Sequence, residues 1–123
     1  MKIKKVKIEI KDIKDIFEDV KETIRKIEKG EKLKPVKEPE IYFTSFEAFR
    51  KALTPKRLEL LHIIKTRKPH SIHELARMAK RDIKNIADDV KYLEQVGLVE
   101  IKETEKKNTP VISYDKIDLE IAV

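Results

Sequence analysis

The stretch Pro69–Ile101, PHSIHELARMAKRDIKNIADDVKYLEQVGLVEI, decides how the chain is read. Ser71 stands three residues before Glu74 at the head of an apolar run, the spacing of a capping box in which serine and glutamate satisfy each other's orphan amide donors. A helix therefore begins at Ser71. Pro69 cannot prolong a preceding helix and biases Lys68 away from helical geometry, so Ser71 is reached through a short connection. Ile72, Leu75, Ala76 and Ala79 follow at helical spacing as a buried stripe. Lys80 and Arg81 are the whole connection to the next cap, Asp82, which has Asn85 three residues on. Ile83, Ile86, Val90 and Leu93 form a second stripe, and Gly97 suits a left-handed helix end because it carries no side chain. Two short helices joined this closely must cross at a steep angle.

Beyond Gly97, Leu98, Val99 and Ile101 start a strand, and Val111, Ile112 and Tyr114 suggest its return. Thr104 to Thr109, with Glu105, Lys106, Lys107 and Asn108, is the expected hairpin tip. Capped helix, tight turn, capped helix and hairpin in this order are a winged helix-turn-helix, so the expected fold class is α+β with an N-terminal strand-helix extension. The recognition helix is expected over about residues 82–96 and the wing over about 99–114.

The order of the motif points to double-stranded DNA. In helix-turn-helix docking the N-terminal part of the second helix meets base edges in the major groove. Lys84 and Asn85 face away from its apolar stripe on the first turn, beside Lys80 and Arg81 in the turn itself. Lysine donates to guanine O6 or N7 and asparagine bonds an adenine edge twice, so the pair suits direct readout. Asp88 and Asp89 follow one turn later; a carboxylate accepts from cytosine N4 but repels phosphates, so the two either limit insertion or oppose it. Ser71 at the first cap completes the helix set, and Lys106, Lys107 and Asn108 at the wing tip are the candidates for phosphate or minor-groove contact. Glu103 and Glu105 dilute the wing's basic character, which ranks it below Lys84 and Asn85. The plain alternative is a solvated helix face and a polar hairpin tip, as on any soluble protein.

The run from Tyr42 through Leu53-Thr54-Pro55, Arg57-Leu58-Glu59-Leu60-Leu61, Ser71 to Arg77, Arg81-Asp82, Lys84-Asn85, Asp89-Val90-Lys91, Leu93-Glu94, Gly97-Leu98-Val99 and Pro110 to Tyr114-Asp115 resembles small winged-helix regulators common in archaea, similar to the broad MarR-like class. The resemblance covers about the C-terminal two thirds and implies DNA binding and transcriptional control, sometimes as an antitoxin-like repressor. Two departures stand out. Lys80 occupies a turn position where such proteins often carry glycine, and Asp88 and Asp89 stand where their recognition helices more often place basic or polar groups.

Composition fits that class. The 123 residues suit one compact domain with an extension, and the net charge is +6. Residues 1–40 carry 13 basic against 10 acidic side chains, residues 41–97 carry 12 against 7 and residues 98–123 carry 4 against 6, so the positive surplus is greatest over the helix-turn-helix. A charged fraction of 42% also fits the mixed-sign surfaces of thermophile proteins. Without cysteine there is no disulfide or thiolate metal site, which fits a reducing cytosol. No apolar run nears the roughly 20 residues of a membrane span, and no signal-peptide core follows the first lysines. A cytoplasmic location is expected.

The front of the chain speaks of assembly. Val6, Ile8 and Ile10 alternate with Lys5, Lys7 and Glu9 as a half-buried strand, a parity that Ile3 breaks. From Asp12 the apolar positions become Ile13, Ile16, Phe17, Val20, Ile24 and Ile27, the stripe of an amphipathic helix ending near Gly30. That stripe either folds back on the winged helix or meets its copy in a homodimer matched to two half-sites. A membrane-surface helix fits less well, because Asp15, Glu18, Asp19 and Glu22 mix with Lys14, Lys21 and Lys26 on its polar face. The expected division is therefore residues 1–30 as strand and helix, 31–40 as a linker punctuated by Pro35 and Pro39, and 41–123 as the winged-helix domain. Within it, Ile41 to Phe43 suit a short strand, and Phe46, Phe49 and Leu53 share a face of a short helix. Thr54 caps a helix with Pro55 at its first position, whose core side is expected to comprise Leu58, Leu61 and Ile64 with Leu60 and Ile63. Ile117, Leu119 and Ile121 alternate as a last strand that suits pairing with residues 5–10, at an edge the sequence leaves open.

Catalytic readings lack support. His70, His73 and Glu74 match no closed metal spacing, and His62 lies in an apolar helix. There is no glycine-rich phosphate loop, nucleophile elbow or cysteine nucleophile, so no enzyme activity, cofactor or metal is expected. RNA recognition would need exposed aromatics for stacking, and only Tyr92 offers itself. The alternative to DNA is a winged helix used as a protein-interaction module, such as an antitoxin or a transcription-machinery adaptor, for which Asp88 and Asp89 are the best support.

Overall fold

The computed structural model describes residues 3–32 and 40–123, so most of the expected linker lies outside the described residues. The elements run β1 (Lys5–Ile10), α1 (Ile13–Glu28), β2 (Glu40–Phe43), α2 (Phe46–Ala52), α3 (Pro55–Arg67), α4 (Ile72–Ala79), α5 (Ile83–Val96), β3 (Glu100–Glu103), β4 (Asn108–Val111) and β5 (Lys116–Ile121). They divide into two compact units, one of Met1–Phe49 with Lys116–Val123 and one of Arg50–Asp115.

In the first unit β1 is the central strand of an all-parallel sheet ordered β2-β1-β5. Val6, Ile8 and Ile10 are buried, as their alternation predicts, and Ile117, Leu119 and Ile121 lie in register beside them. The final strand thus joins residues 5–10, and the strand of residues 40–43 takes the other side of β1. The opposite face of β1 is an ion network. The ammonium of Lys7 lies 2.8 Å from Glu9 and 3.2 Å from Glu120, while Lys11 bonds Asp19 and lies 3.1 Å from Glu9. Hydrogen bonds from Lys7 lead in holding the Glu9 carboxyl below its usual range, and hydrogen bonding to Glu9 and Glu120 holds Lys7 above its own. Asp12 caps α1 by accepting from the Lys14 amide, and the helix ends before Gly30 at φ 75°. None of its residues is buried.

The second unit is a winged helix-turn-helix, and the whole chain is α+β. Its core contains Leu60, Leu61, Ile63 and Ile64 of α3, Leu75 and Ala76 of α4, Ile86, Val90 and Leu93 of α5, and Leu98 and Val99. Each helix starts where the sequence supplies a cap: Thr54 accepts from Arg57 N, Ser71 from Glu74 N and Asp82 from Lys84 N. Gly97 closes α5 at φ 91°.

Three local expectations change and one is refined. Leu58 is exposed and belongs to the outer side of α3, whose buried face is built from the 60, 61, 63 and 64 positions. Lys68, biased away from helical geometry by Pro69, does leave the helix, and it does so at φ 48°, ψ 63° as the left-handed end of α3. Only half of the capping box forms in its usual place, because Glu74 accepts from the His70 amide at 3.4 Å. The hairpin tip is shorter than residues 104–109: Thr104 and Lys107 close it, and Asn108 already pairs with Glu103 in the β3–β4 ladder.

Candidate nucleic-acid interface

The turn between α4 and α5 is made by Lys80 and Arg81. Lys80 ends α4 in left-handed geometry (φ 55°, ψ 46°), and its amide donates to the carbonyls of Ala76 and Arg77. A non-glycine residue pays a steric penalty there, since Cβ approaches the following carbonyl. The departure noted at this position is therefore a real backbone feature.

Arg81 points inward. Its Nη2 donates to Asp89 Oδ2 at 2.8 Å, and Nη1 is buried. Arg57, from α3, donates through Nε to Asp89 Oδ1 at 3.1 Å and through Nη1 to the carbonyls of Lys51 and Ala52. The Arg57 guanidinium also stacks 4.3 Å from the Tyr92 ring centroid. Side-chain exposures of 20%, 16% and 22% for Arg57, Asp89 and Arg81 place the cluster in the partly dry zone where charge-assisted bonds gain strength. Two cations thus share one carboxylate. Asp89 is an internal anchor that fixes the turn and α3 to α5, and Tyr92 lies against a guanidinium.

With Asp89 turned in, the exposed side of α5 comprises Lys84, Asn85, Ala87, Asp88, Lys91, Glu94 and Gln95. Lys84, Asp88, Lys91 and Gln95 recur at steps of four, three and four, so they share one ridge, and Asn85 stands beside its first turn. Lys91 and Gln95 were not singled out in the sequence, although the same spacing would have found them. Ser71 is half-buried with its hydroxyl used as the α4 cap, and Lys80 is exposed. In the wing, Lys106, Lys107 and Asn108 are exposed together with Glu103 and Glu105.

The wing is tethered at its base. Thr109 Oγ1 donates to the His70 carbonyl at 2.7 Å, and the Tyr114 hydroxyl donates to the Leu98 carbonyl at 2.8 Å. Burial of Tyr114 pushes its phenol well above the ordinary range. Among the described residues, no three or more His, Asp or Glu side chains gather as a metal would need, and no helix is long and apolar enough to cross a membrane.

The HVO_A0114 family model matches residues 52–119, more than half of the chain. The chain belongs to the HVO_A0114 family. The matched span runs from the end of α2 into β5 and contains the whole helix-turn-helix and wing of this HVO_A0114 member. No curated protein matches the chain. Among solved structures it is similar to the homodimeric winged helix-turn-helix DNA-binding domain of a possible ArsR-family transcriptional regulator from Mycobacterium bovis, with 21% identity and a TM-score of 0.46. That alignment covers 50% of this chain and 57% of the other.

Proposed function

We propose that the chain is a sequence-selective DNA-binding transcriptional regulator, MarR-like in the broad sense, cytoplasmic and acting as a homodimer. In this reading α5 enters the major groove and the β3–β4 wing follows the backbone. The observation that carries it is the exposure of Lys84 and Asn85 on the first turn of α5 while Asp89 is neutralised behind them by Arg57 and Arg81. Lys84 and Asn85 read base edges, and Asp88 accepts from cytosine N4. Lys80, Ser71, Lys106, Lys107 and Asn108 meet the sugar-phosphate backbone. Arg81 acts by holding the turn. Residues 41–123 carry DNA binding, residues 31–40 link, and residues 1–30 serve assembly; catalysis has no part.

A second reading, a protein-interaction module such as an antitoxin or a transcription-machinery adaptor, is favoured by the exposed carboxylate of Asp88 on the ridge itself. Binding of the wild-type chain to a duplex from upstream of its own gene and to a scrambled duplex, across a salt series, separates the two. Regulation predicts preference for the first duplex and a log–log salt slope of about −0.9 per phosphate contact. Equal, weak binding to both favours the protein partner and defeats the regulator.

A further inference from the structure

The amphipathic stripe of α1 is left open. Ile13, Phe17, Val20, Ile24 and Ile27 are 51%, 59%, 49%, 49% and 57% exposed, and no residue of the helix is buried. A 16-residue helix lies near the length at which isolated helices are only marginal in water, so it is stabilised by whatever covers its apolar face. The five residues are spaced four, three, four and three apart, the alternation of core positions in a two-stranded coiled coil.

The charges around the stripe say what covers it. Asp12, Asp15, Glu18 and Asp19 crowd the first half of the helix against a single Lys14, with Asp19 bonded to Lys11. Lys21, Arg25, Lys26 and Lys29 crowd the second half against Glu22 and Glu28. The helix is acidic at its start and basic at its end, and therefore complementary to its own reverse. A parallel copy would set acid on acid and base on base. An antiparallel copy sets each acidic half beside a basic half and opposes the two helix dipoles. Val20 lies midway between Ile13 and Ile27, where a two-fold axis would cross the pair.

We propose that α1 is the homodimer interface and packs antiparallel against α1 of a second copy through Ile13, Phe17, Val20, Ile24 and Ile27. The proposal rests on the homodimer reading above and deepens it: a parallel pair would overturn the proposal alone, a monomer would overturn both, and the test involves no DNA. Sedimentation of the full chain over a wide concentration range should show a monomer–dimer equilibrium, and Phe17→Glu with Ile24→Glu should raise the dimer Kd by roughly a hundredfold. The chain contains no cysteine, so single cysteines report the direction cleanly. Val20→Cys should cross-link to itself under oxidation, Ile13→Cys should not, and a mixture of Ile13→Cys with Ile27→Cys should form the mixed pair. Efficient self-linking of Ile13→Cys would show a parallel pair and overturn the proposal. So would a wild-type chain that stays monomeric at every concentration, including one that instead sediments with anionic phosphatidylserine vesicles.

Discussion

Arg81 and Asp89 meet at 2.8 Å across the α4–α5 turn, which makes one of the two basic turn residues a structural part and leaves the other, Lys80, exposed. Asp89 also receives Arg57 at 3.1 Å, so its removal would strand two partly buried guanidinium groups. Asp89→Asn should destabilise the chain by about 2–3 kcal/mol, somewhat below the cost of breaking a fully buried ion pair because all three side chains keep some exposure. Urea unfolding measures this, and a double-mutant cycle with Arg81→Lys should show coupling between the two sites.

Lys80→Gly separates backbone from charge. Relief of left-handed strain at φ 55° should leave stability unchanged or raise it by up to about 1 kcal/mol, since glycine's extra freedom in the unfolded chain offsets part of the gain. The same substitution should weaken DNA binding and reduce the magnitude of the salt slope by about 0.9 if Lys80 meets a phosphate. Thermal unfolding and salt titration read the two effects independently.

The wing's tethers carry their own prediction. Tyr114→Phe removes the hydrogen bond to the Leu98 carbonyl and should cost about 1 kcal/mol. Hydrogen exchange should quicken at the β3–β4 amides, while the helix amides keep their relative order of protection.

Acid should act on the ion network of the first unit. The Glu9 carboxyl titrates below its ordinary 4.5 when folded, so its contribution is present above that value and is lost as pH falls through the lower folded value. Glu9→Gln should therefore flatten the acid limb of the stability profile below about pH 4.5. Lys7 and Tyr114 have raised values, so their contributions are present below about pH 10 and fall away only in stronger alkali. Circular dichroism against pH for wild type and variant is the measurement.

The winged helix was legible because its signals are local. Ser71, Asp82 and Gly97 mark helix ends through hydrogen bonds and a backbone angle that only a few residues away decide, and the stripes of α4 and α5 repeat within a turn. The pairing of Asp89 with Arg57 was not legible, since 32 residues separate them and either charge alone reads as solvated surface. Lys68 and Lys80 took left-handed geometry that lysine does not advertise. Leu58 went outward because a helix with apolar residues at 58, 60, 61, 63 and 64 has more candidates than one face can hold. The order β2-β1-β5 depends on long-range pairing that alternation alone leaves open. The exposure of Lys84 and Asn85 was legible from their place after a cap, whereas the inward turn of Arg81 beside an exposed Lys80 depends on a contact eight residues away that the sequence does not advertise.

Fluorescence anisotropy of the Lys84→Ala, Asn85→Ala double variant on the upstream and scrambled duplexes tests the proposed recognition surface most directly. Both side chains are exposed, so folding should be intact, and lost base contacts worth about 1–3 kcal/mol each should erase the wild type's preference while leaving weak, salt-dependent binding to both duplexes. A double variant that discriminates between the duplexes as well as the wild type does would contradict the assignment of α5 as the reading helix.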